Sequence, residues 1–392
     1  MEGIYKLDLK DIPPELKLLI FILNSENEED IYDELNSKLD IDWKLFLNLS
    51  FHHRVFPSIA SKLKAIKANI VPEFVISNLN KAYRNNTINM LYLLGETEYI
   101  SKLLKASHVP TLFLKGPSLA VDLYGDTSSR TSSDLDILVP IHQLEKAEEI
   151  LIKSGYIKDD YFETVLNDWK WRHHHLSFFH PEKKVKVEVH WRLNPGPSFE
   201  PSFEDLWNRK RKCRVSSVNI LGKEDLFVFL VTHGARHGWS RLRWLIDIHQ
   251  LLEQKVDWSK VVSLFHEYHS VSLAGHAVIL SSVLLKTNIP LEMQAMSNNK
   301  KSNLLAQGAL FYFKDMINLH DESLAEEVAK YHRHYLFSQM SKPQKILFIL
   351  SFFHPYPEDA AIFPLPKKFH YLYFPLRPFL WALRKGKKHA VV

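Results

Sequence analysis

The sequence predicts an α+β fold, in which a short β-sheet core lies between two helical regions. The first observation is a pair of apolar runs of strand length, Val109–Leu114 and Asp134–Pro140. The second is the alternation of Val185, Val187 and Val189 with polar residues, which has the period of two of a half-buried strand. The third is the helical spacing of apolar residues on both sides of this segment.

The chain divides into three predicted regions. Residues 1–107 are expected to be helical, because apolar residues recur at helical spacing and Pro72 suits the first turn of a long helix. Residues 108–195 are expected to carry the strands, and residues 196–392 to form a second helical region with a basic, aromatic tail. The predicted elements of the middle region are a strand over Val109–Leu114, a helix over Ser118–Tyr124, a polar loop over Tyr124–Ser133, a strand over Asp134–Pro140, a helix over Gln143–Lys153 and a hairpin of His174–His180 with Lys184–Trp191.

Glycine is scarce in this chain, which excludes several phosphate-binding folds. The 392 residues include 12 glycines, about 3%, where roughly 7% is usual. No two of them lie two or five residues apart, so neither the G-x-G-x-x-G dinucleotide fingerprint nor the G-x-x-x-x-G-K phosphate loop is present. Rossmann dehydrogenases, P-loop NTPases and glycine-loop kinases are therefore poor candidates. Any phosphate-binding site in this chain must use something other than a glycine-rich loop.

Charge and cysteine content describe a mildly basic protein of a reducing compartment. The net charge is +5, which is compatible with anionic ligands and does not require nucleic acid. The single cysteine, Cys213, excludes an internal disulfide and a Cys-based zinc cage. The acidic N-terminal segment is not expected to be a signal peptide, and the apolar runs are too short for a transmembrane segment. A cytoplasmic location is therefore expected.

The most informative feature is the pair Asp134 and Asp136. Because residues i and i+2 of a strand share a face, two carboxylates lie side by side next to an apolar stretch. This arrangement is costly unless a cation holds it, and Mg²⁺ prefers carboxylate and phosphate oxygens. Glu188, on another predicted strand, offers a third carboxylate, which suits a two-metal site for displacement at phosphorus. Upstream, Lys115 and Gly116 lie between a strand and a helix, where free N–H groups bind anions.

Two segments resemble the nucleotidyltransferase superfamily of the DNA polymerase beta type, namely LKGPSLAVDLYGDTSSRTSSDLDILV, Leu114–Val139, and VEVHW, Val187–Trp191. More narrowly, they are similar to the uncharacterised nucleotidyltransferase family, whose pattern is LKG, Y-x-D, R-x-x-x-D-x-D and an acidic residue before HW. Its later R-W-L-x-D motif is matched by Arg243–Asp247, and HRVFP, His53–Pro57, has the look of its N-terminal helical part. The resemblance covers roughly residues 40–255.

The resemblance implies a mixed sheet flanked by helical regions and an enzyme that uses Mg²⁺ and an NTP, with ATP as the expected nucleotide. Asp134, Asp136 and Glu188 would hold two Mg²⁺ ions, and Glu188 would help to deprotonate the acceptor. The residues expected to contact the nucleotide are Lys115, Gly116, Ser118 and Arg130. Where the superfamily prefers Gly-Ser or Gly-Gly, this chain has Gly116–Pro117, and proline has no N–H donor. This turn therefore offers fewer backbone N–H donors to a phosphate than the same turn in most of the superfamily.

Further residues are expected to line the cleft, and each has a simpler structural interpretation. They are His174, His190, His233, Arg243 and Asp247. The three adjacent histidines His173–His175 cannot all face one site on a strand, so a zinc site would need them to converge with a further ligand. His233 through Asp247 are expected on one helical face. Arg243 and Asp247 form either a structural ion pair or part of the cleft, with Arg236 or Arg243 near the nucleotide.

Two classes of function follow from these residues. The first is a nucleotidyltransferase that moves a nucleoside monophosphate to an acceptor hydroxyl or phosphate and releases pyrophosphate. The alternative is a non-catalytic nucleotide-binding regulatory protein on the same fold, against which the intact acid trio argues. Members of the resembled family often occur among natural-product and peptide-modification genes, so a peptide or small-molecule acceptor is expected rather than nucleic acid. The tail over 367–388 suits single-stranded nucleic acid, a membrane surface or a packed, solvated end.

Overall fold

A seven-stranded mixed sheet forms the centre of the structure, a computed structural model that describes residues 6–37, 40–66, 70–159, 164–214, 216–319 and 324–389. Its strands are β1 (Leu112–Phe113), β2 (Asp134–Leu138), β3 (Ile157–Lys158), β4 (His175–His180), β5 (Val185–His190), β6 (Arg211–Lys212) and β7 (Asn219–Ile220). They lie in the order β3-β4-β5-β2-β1-β7-β6. β1 pairs with β7 and β2 with β5 in parallel, and the other neighbours are antiparallel. The predicted α+β fold with a mixed sheet is confirmed.

Helices precede, interrupt and follow the sheet. In the described part of the chain they are α1 (Pro14–Asn24), α2 (Glu28–Ser37), α3 (Trp43–His52), α4 (Phe56–Ala65), α5 (Glu73–Ala106), α6 (Pro117–Tyr124), α7 (Leu144–Lys153), α8 (Trp169–Arg172), α9 (Phe203–Arg209), α10 (Lys223–Arg236), α11 (Leu242–Leu252), α12 (Trp258–Glu267), α13 (Val271–Leu285), α14 (Leu291–Ser297), α15 (Lys300–Lys314), α16 (Glu326–Gln339), α17 (Lys342–Ser351), α18 (Pro357–Ile362) and α19 (Tyr373–His389). Short 3₁₀ helices cover Ile141–Gln143 and Lys367–Leu372.

The long helix α5 packs behind the sheet because its apolar side chains recur on one face. Met90 and Ile100 of this helix share a buried cluster with Leu135 of β2 and Val187 of β5. The valines of β5 are buried, while Lys186 and Glu188 between them are partly exposed. The period-two pattern therefore predicted correctly which side of β5 faces the core.

Helices from the two ends of the chain share a second hydrophobic core. Leu19 of α1, Phe46 of α3, Leu245 of α11 and Ile279 of α13 all belong to one buried cluster. The strands β6 and β7 lie beyond residue 195 in the chain and still join the central sheet. The division into residues 1–107, 108–195 and 196–392 stays a prediction. The strands of the sheet themselves continue past residue 195, as far as β7 in the chain.

The helix predicted to run from His233 through Asp247 is instead two helices, α10 and α11. The chain turns between them, where Gly238 has a φ of +60° and Trp239 a φ of +56°. The ring of Trp239 folds back onto Gly234, where any Cβ would clash with it. The prediction of one continuous helical face was wrong because these two glycines permit a reversal that hydrophobic spacing does not reveal.

Candidate active site

Three carboxylates lie on neighbouring parallel strands. Asp134 and Asp136 share one face of β2, and Asp136 lies directly opposite Glu188 of β5. The intervening Leu135 and Val187 are fully buried in the core behind the sheet. The alternation that buries the apolar residues is thus the cause of the acidic cluster on the opposite face.

The two oxygens of the buried Asp136 have different surroundings. Oδ1 lies 3.1 Å from Nζ of Lys115 and 3.1 Å from Nε2 of His190. Oδ2 is buried without a hydrogen-bond partner among the described residues. Burial by itself raises the pKa of this carboxyl, but Lys115 and the His190 hydrogen bond outweigh it and hold the pKa below its usual value. An ionised carboxylate with one unpartnered oxygen is suited to a cation.

The other two carboxylates complete a donor set for a divalent ion. Burial and the charge of Asp136 raise the pKa of Asp134. The pKa of Glu188 is lowered, because its hydrogen bond with His190 and the nearby His175 outweigh burial. One ligand atom from each of Asp136, Glu188 and His190 lies within 4.8 Å of the other two. The oxygen atoms of this set fit Mg²⁺, and Asp134, beside them on β2, is a carboxylate that a nearby cation would stabilise.

The turn from β1 into α6 depends on Gly116. Its φ of +90° lies in the left-handed region that favours glycine, and a Cβ there would meet Cδ2 of Leu135 at 3.2 Å. Ser118, in the first turn of α6, is buried, and its Oγ has no hydrogen-bond partner among the described residues. The structure thus brings Lys115, Gly116 and Ser118 to the end of β1, with Lys115 in contact with a carboxylate.

Arg130 is buried in its loop and bound to Asp247. Its Nε and Nη2 each donate to this carboxylate at 3.0 Å, and the hydroxyl of Tyr124 donates to it at 2.7 Å. The i, i+4 ion pair between Arg243 and Asp247 is therefore wrong, since Nη1 of Arg243 donates instead to the carbonyl and hydroxyl oxygens of Thr131. Arg130 and Asp247 are separated by 117 residues, so no local spacing could indicate their contact.

Helix α5 holds the same loop from behind. Nδ2 of Asn86 donates to the carbonyl oxygens of Ser128 and Arg130, and Nδ2 of Asn89 donates to that of Ser132. The loop is therefore fixed to α5 on one side and to α11 on the other. These hydrogen bonds fix the end of the loop at which β2 begins, and therefore the position of Asp134.

A cationic pocket of about 660 Å³ opens over the carboxylates. Its basic lining residues are Arg54, Lys115, Arg130, Lys186, Arg236, Arg241 and Arg243. Among the described lining residues only Asp134 and Glu188 are acidic. A surplus of positive charge around a metal-binding carboxylate group suits a polyanion bound together with a metal ion.

Two of these arginines, Arg54 and Arg241, were not predicted from the sequence as site residues. Arg54 lies in the HRVFP segment directly after α3 and has a φ of +55°. The HRVFP segment carries part of the family resemblance, and that resemblance is the signal that could have identified Arg54. Arg236 and Arg241 lie on either side of the turn between α10 and α11. Arg236 was expected near the nucleotide, and the expectation of one continuous helix concealed the position of Arg241.

Three histidines converge in the pocket. β4 begins at His175, so the side chain of His174 precedes the strand and is not directed away by strand alternation. His175 lies opposite His190 in the β4–β5 register, and its Nδ1 is 3.2 Å from Nε2 of His174. One ring nitrogen of each of the three lies within 4.8 Å of the others. His174 and His175 therefore share one site, which strand geometry alone did not predict.

Of the remaining residues predicted to line the cleft, His233 and Arg243 line the pocket and Asp247 is buried in the protein. His233 and Arg243 line the pocket together with His237, whose ring centroid is 4.7 Å from that of His233. Burial lowers the pKa of Arg243 to about 9 and that of His233 below its usual value. Asp247 is fully buried and anchors Arg130.

Comparison with known proteins finds a family that matches more than half of the chain. A family described as uncharacterised nucleotidyltransferase matches residues 40–286, and the chain belongs to that family. The protein is thus a nucleotidyltransferase, a transferase enzyme with an NTP as its substrate. The chain is similar in structure to MenT4, a nucleotidyltransferase toxin from Mycobacterium tuberculosis H37Rv, at 14% identity and a TM-score of 0.25, over 76% of this chain and 98% of that one. No curated protein matches the chain.

The family match confirms the family resemblance and the enzyme class predicted from the sequence. No helix in the described part of the chain is long and apolar enough to cross a membrane.

Proposed function

We propose that the protein is an Mg²⁺-dependent nucleotidyltransferase that moves a nucleoside monophosphate from an NTP to an acceptor hydroxyl or phosphate and releases pyrophosphate. ATP is the expected donor. The observation that supports this most is the position of Asp134, Asp136 and Glu188 beneath a cationic pocket, with a buried Asp136 oxygen that has no partner among the described residues. These three carboxylates would hold two Mg²⁺ ions, which supply positive charge to the reacting phosphate.

The residues around the carboxylates bind and orient the triphosphate. Lys115, Arg54 and Arg243 line the pocket and offer positive charge to phosphate oxygens. Gly116 permits close backbone approach at the start of α6, and the Ser118 hydroxyl beside it is a further phosphate contact in this proposal. The nucleotide-binding role expected of Arg130 becomes a positioning role, because its guanidinium donates to Asp247 and to a backbone carbonyl.

The transfer exchanges one phosphorus–oxygen bond for another. The acceptor oxygen forms a bond to the α-phosphorus, the bond from that phosphorus to the bridging oxygen breaks, and pyrophosphate leaves. The lowered pKa of Glu188 makes it a weak base for an acceptor proton. We therefore assign it metal binding and orientation of the acceptor, with help in proton removal as its lesser role.

The acceptor proposed is a peptide or small molecule rather than a nucleic acid. The basic residues of this site converge on a pocket, whereas a nucleic-acid interface usually has a basic stripe across an open surface. His174, His190 and His233 line the same pocket as Glu188 and would contact the acceptor. A cytoplasmic location and the reducing environment that suits Cys213 stay predictions.

The test is to incubate the protein with each labelled NTP, Mg²⁺ and a cell extract, and to identify what becomes labelled. We expect one nucleotide to label an acceptor with release of pyrophosphate, and EDTA to stop both. A protein that binds NTP and Mg²⁺ in calorimetry without labelling any component or releasing pyrophosphate would contradict the proposal.

A further inference from the structure

We infer that His174, His175 and His190 form a site for one transition-metal ion of the Zn²⁺ class, next to the carboxylates. Neutral imidazoles are preferred ligands of such ions, and three histidines with an open position are a known zinc arrangement. Mg²⁺ prefers oxygen donors instead. The pocket therefore contains two neighbouring donor sets of different chemistry.

The backbone fixes these histidines close to one another. His175 and His190 face each other across β4 and β5. The carbonyl of His174 accepts hydrogen bonds from the N–H groups of Trp191 and Arg192, which ties His174 to the end of β5. Nδ1 of His175 lies 3.2 Å from Nε2 of His174. Two nitrogens that bind one Zn²⁺ in tetrahedral geometry lie roughly 3.3 Å apart, so this pair needs little rearrangement.

His190 carries the second, independent observation. Its Nε2 lies 3.1 Å from Oδ1 of Asp136, while its buried Nδ1 has no hydrogen-bond partner among the described residues. In the neutral ring that donates Nε2–H to the Asp136 carboxylate, Nδ1 carries the lone pair. Metal-binding histidines commonly donate their other ring N–H to a carboxylate in this way.

Neighbouring charges act on this site from both sides. Oε2 of Glu188 lies 3.9 Å from Nε2 of His175 and offers a negative charge or a fourth ligand. Nη1 of Arg236 lies 3.5 Å from Nε2 of His174, and this long contact gives way when a metal ion takes the nitrogen.

The test is titration of the chelator-treated full-length protein with Co²⁺ in excess Mg²⁺, followed by visible absorption. We expect one Co²⁺ per chain with the absorption of imidazole coordination, displaced by Zn²⁺ and not by Mg²⁺. His174→Ala and His175→Ala should each weaken binding by roughly tenfold or more. His173→Ala is the matched control, because this neighbour lies outside the cluster, and it should leave binding unchanged.

Two results would overturn the inference. One is absence of Co²⁺ uptake by a protein that is folded by circular dichroism. The other is uptake that both histidine variants retain and that Asp134→Asn with Asp136→Asn removes, since the ion would then occupy the carboxylates. Because binding is measured without an NTP, failure here is distinct from failure of the proposed nucleotidyl transfer.

A separate surface, formed by α17 and α19, carries a second inference. α17 has no buried residue, and its exposed side chains include Ile346, Ile349 and Leu350. Trp381 of α19 is also exposed and lines one pocket with the exposed Phe352 and Phe353, which directly follow α17. We call these exposed apolar residues, Ile346, Ile349, Leu350, Phe352, Phe353 and Trp381, the C-terminal apolar surface. A group of exposed apolar side chains of this kind marks an interaction site.

Charge identifies the partner that fits the C-terminal apolar surface. Residues 341–392 contain nine Lys or Arg and two acidic residues, a net +7, so the first 340 residues carry a net −2 of the total +5. We propose that this surface docks on an anionic phospholipid membrane. Aliphatic and aromatic residues beside clustered basic residues are typical of helices that lie in a lipid interface. The aliphatic residues disfavour nucleic acid, which stacks on aromatic rings, and the shared positive charge disfavours a second copy of the chain.

Sedimentation with lipid vesicles tests this second proposal. We expect the full-length protein to sediment with phosphatidylserine-containing vesicles more than with phosphatidylcholine alone, and less at high salt. Ile346→Glu with Leu350→Glu, one turn apart on α17, should reduce the bound fraction several-fold. The control, Leu291→Glu with Leu304→Glu, changes two exposed leucines elsewhere and should bind like the original protein.

Three outcomes would overturn membrane docking. The first is equal sedimentation with and without phosphatidylserine vesicles. The second is a concentration-dependent dimer that the α17 variant abolishes, which would make this surface a self-association face. The third is tight binding of a single-stranded oligonucleotide that the same variant loses while vesicle binding is unaffected.

Discussion

Asp136 links the folding of the sheet to the chemistry of the site. It is fully buried between residues that face the core, yet it contacts Lys115 and His190 and keeps one oxygen without a partner in the described part of the chain. Its carboxylate contributes little to a stable fold by itself, because burial of charge is costly unless opposite charge lies nearby. Its position is best explained by the ligand that it would hold.

Gly116 offers a prediction at the same scale. Gly116→Val should raise the Kd for a non-hydrolysable NTP by about tenfold or more, because positive φ strains a β-branched residue by on the order of 1–3 kcal/mol and its side chain meets Leu135. Calorimetry with Mg²⁺ measures this. Gly95→Val is the control, since a Cβ at Gly95 meets nothing within 4 Å. Unchanged affinity in Gly116→Val would mean that the triphosphate binds away from the start of α6.

The buried pair of Arg130 and Asp247 makes a prediction about stability. Asp247→Asn should lower the free energy of unfolding by about 3–5 kcal/mol, because it leaves the buried Arg130 without its counter-charge. Urea denaturation measures the change. In the exposed pair Lys153–Glu149, Glu149→Gln should cost less than about 1 kcal/mol. Equal losses in the two variants would contradict the view that Arg130 depends on Asp247.

At the scale of elements, local patterns predicted the strands that carry the carboxylates. The alternating valines of β5 and the apolar run of β2 each indicate a strand without reference to distant residues. The turn between α10 and α11 was missed, because it depends on packing of Trp239 against Gly234. The convergence of His174 and His175 was missed for a similar reason, since it depends on where β4 begins relative to β5.

Helix α5 should influence the site through its asparagines. Asn86→Ala with Asn89→Ala removes the side-chain donors to three loop carbonyls and should cost about 1 kcal/mol of stability for each hydrogen bond. We expect KM for the NTP to rise several-fold, because the loop leads directly into β2. Asn78→Ala on the same helix is the control, since its amide donates only to a carbonyl of α5. An unchanged KM in the double variant would show that the loop does not position the site.

At the scale of the whole molecule, the sequence predicted the three carboxylates of the site better than it predicted the basic residues around them. Asp134, Asp136 and Glu188 were identifiable because strand periodicity and a family motif coincide at these positions. Part of the cationic wall was hidden, since Arg54, between α3 and α4, and Arg241, before α11, come from segments far apart in the chain. Long-range packing assembles this pocket, and no single segment carries its pattern.

The most direct measurement of the central claim is NTP-dependent pyrophosphate release by Asp134→Asn with Asp136→Asn. We predict that release falls to background while the circular dichroism spectrum is unchanged, because the isosteric amides fill the same volume but lack the negative charge with which carboxylates bind Mg²⁺. The control, Glu145→Gln with Glu149→Gln, removes two exposed charges on α7 and should retain full release. Release by the aspartate variant at the original rate would contradict the assignment of these carboxylates as the catalytic centre.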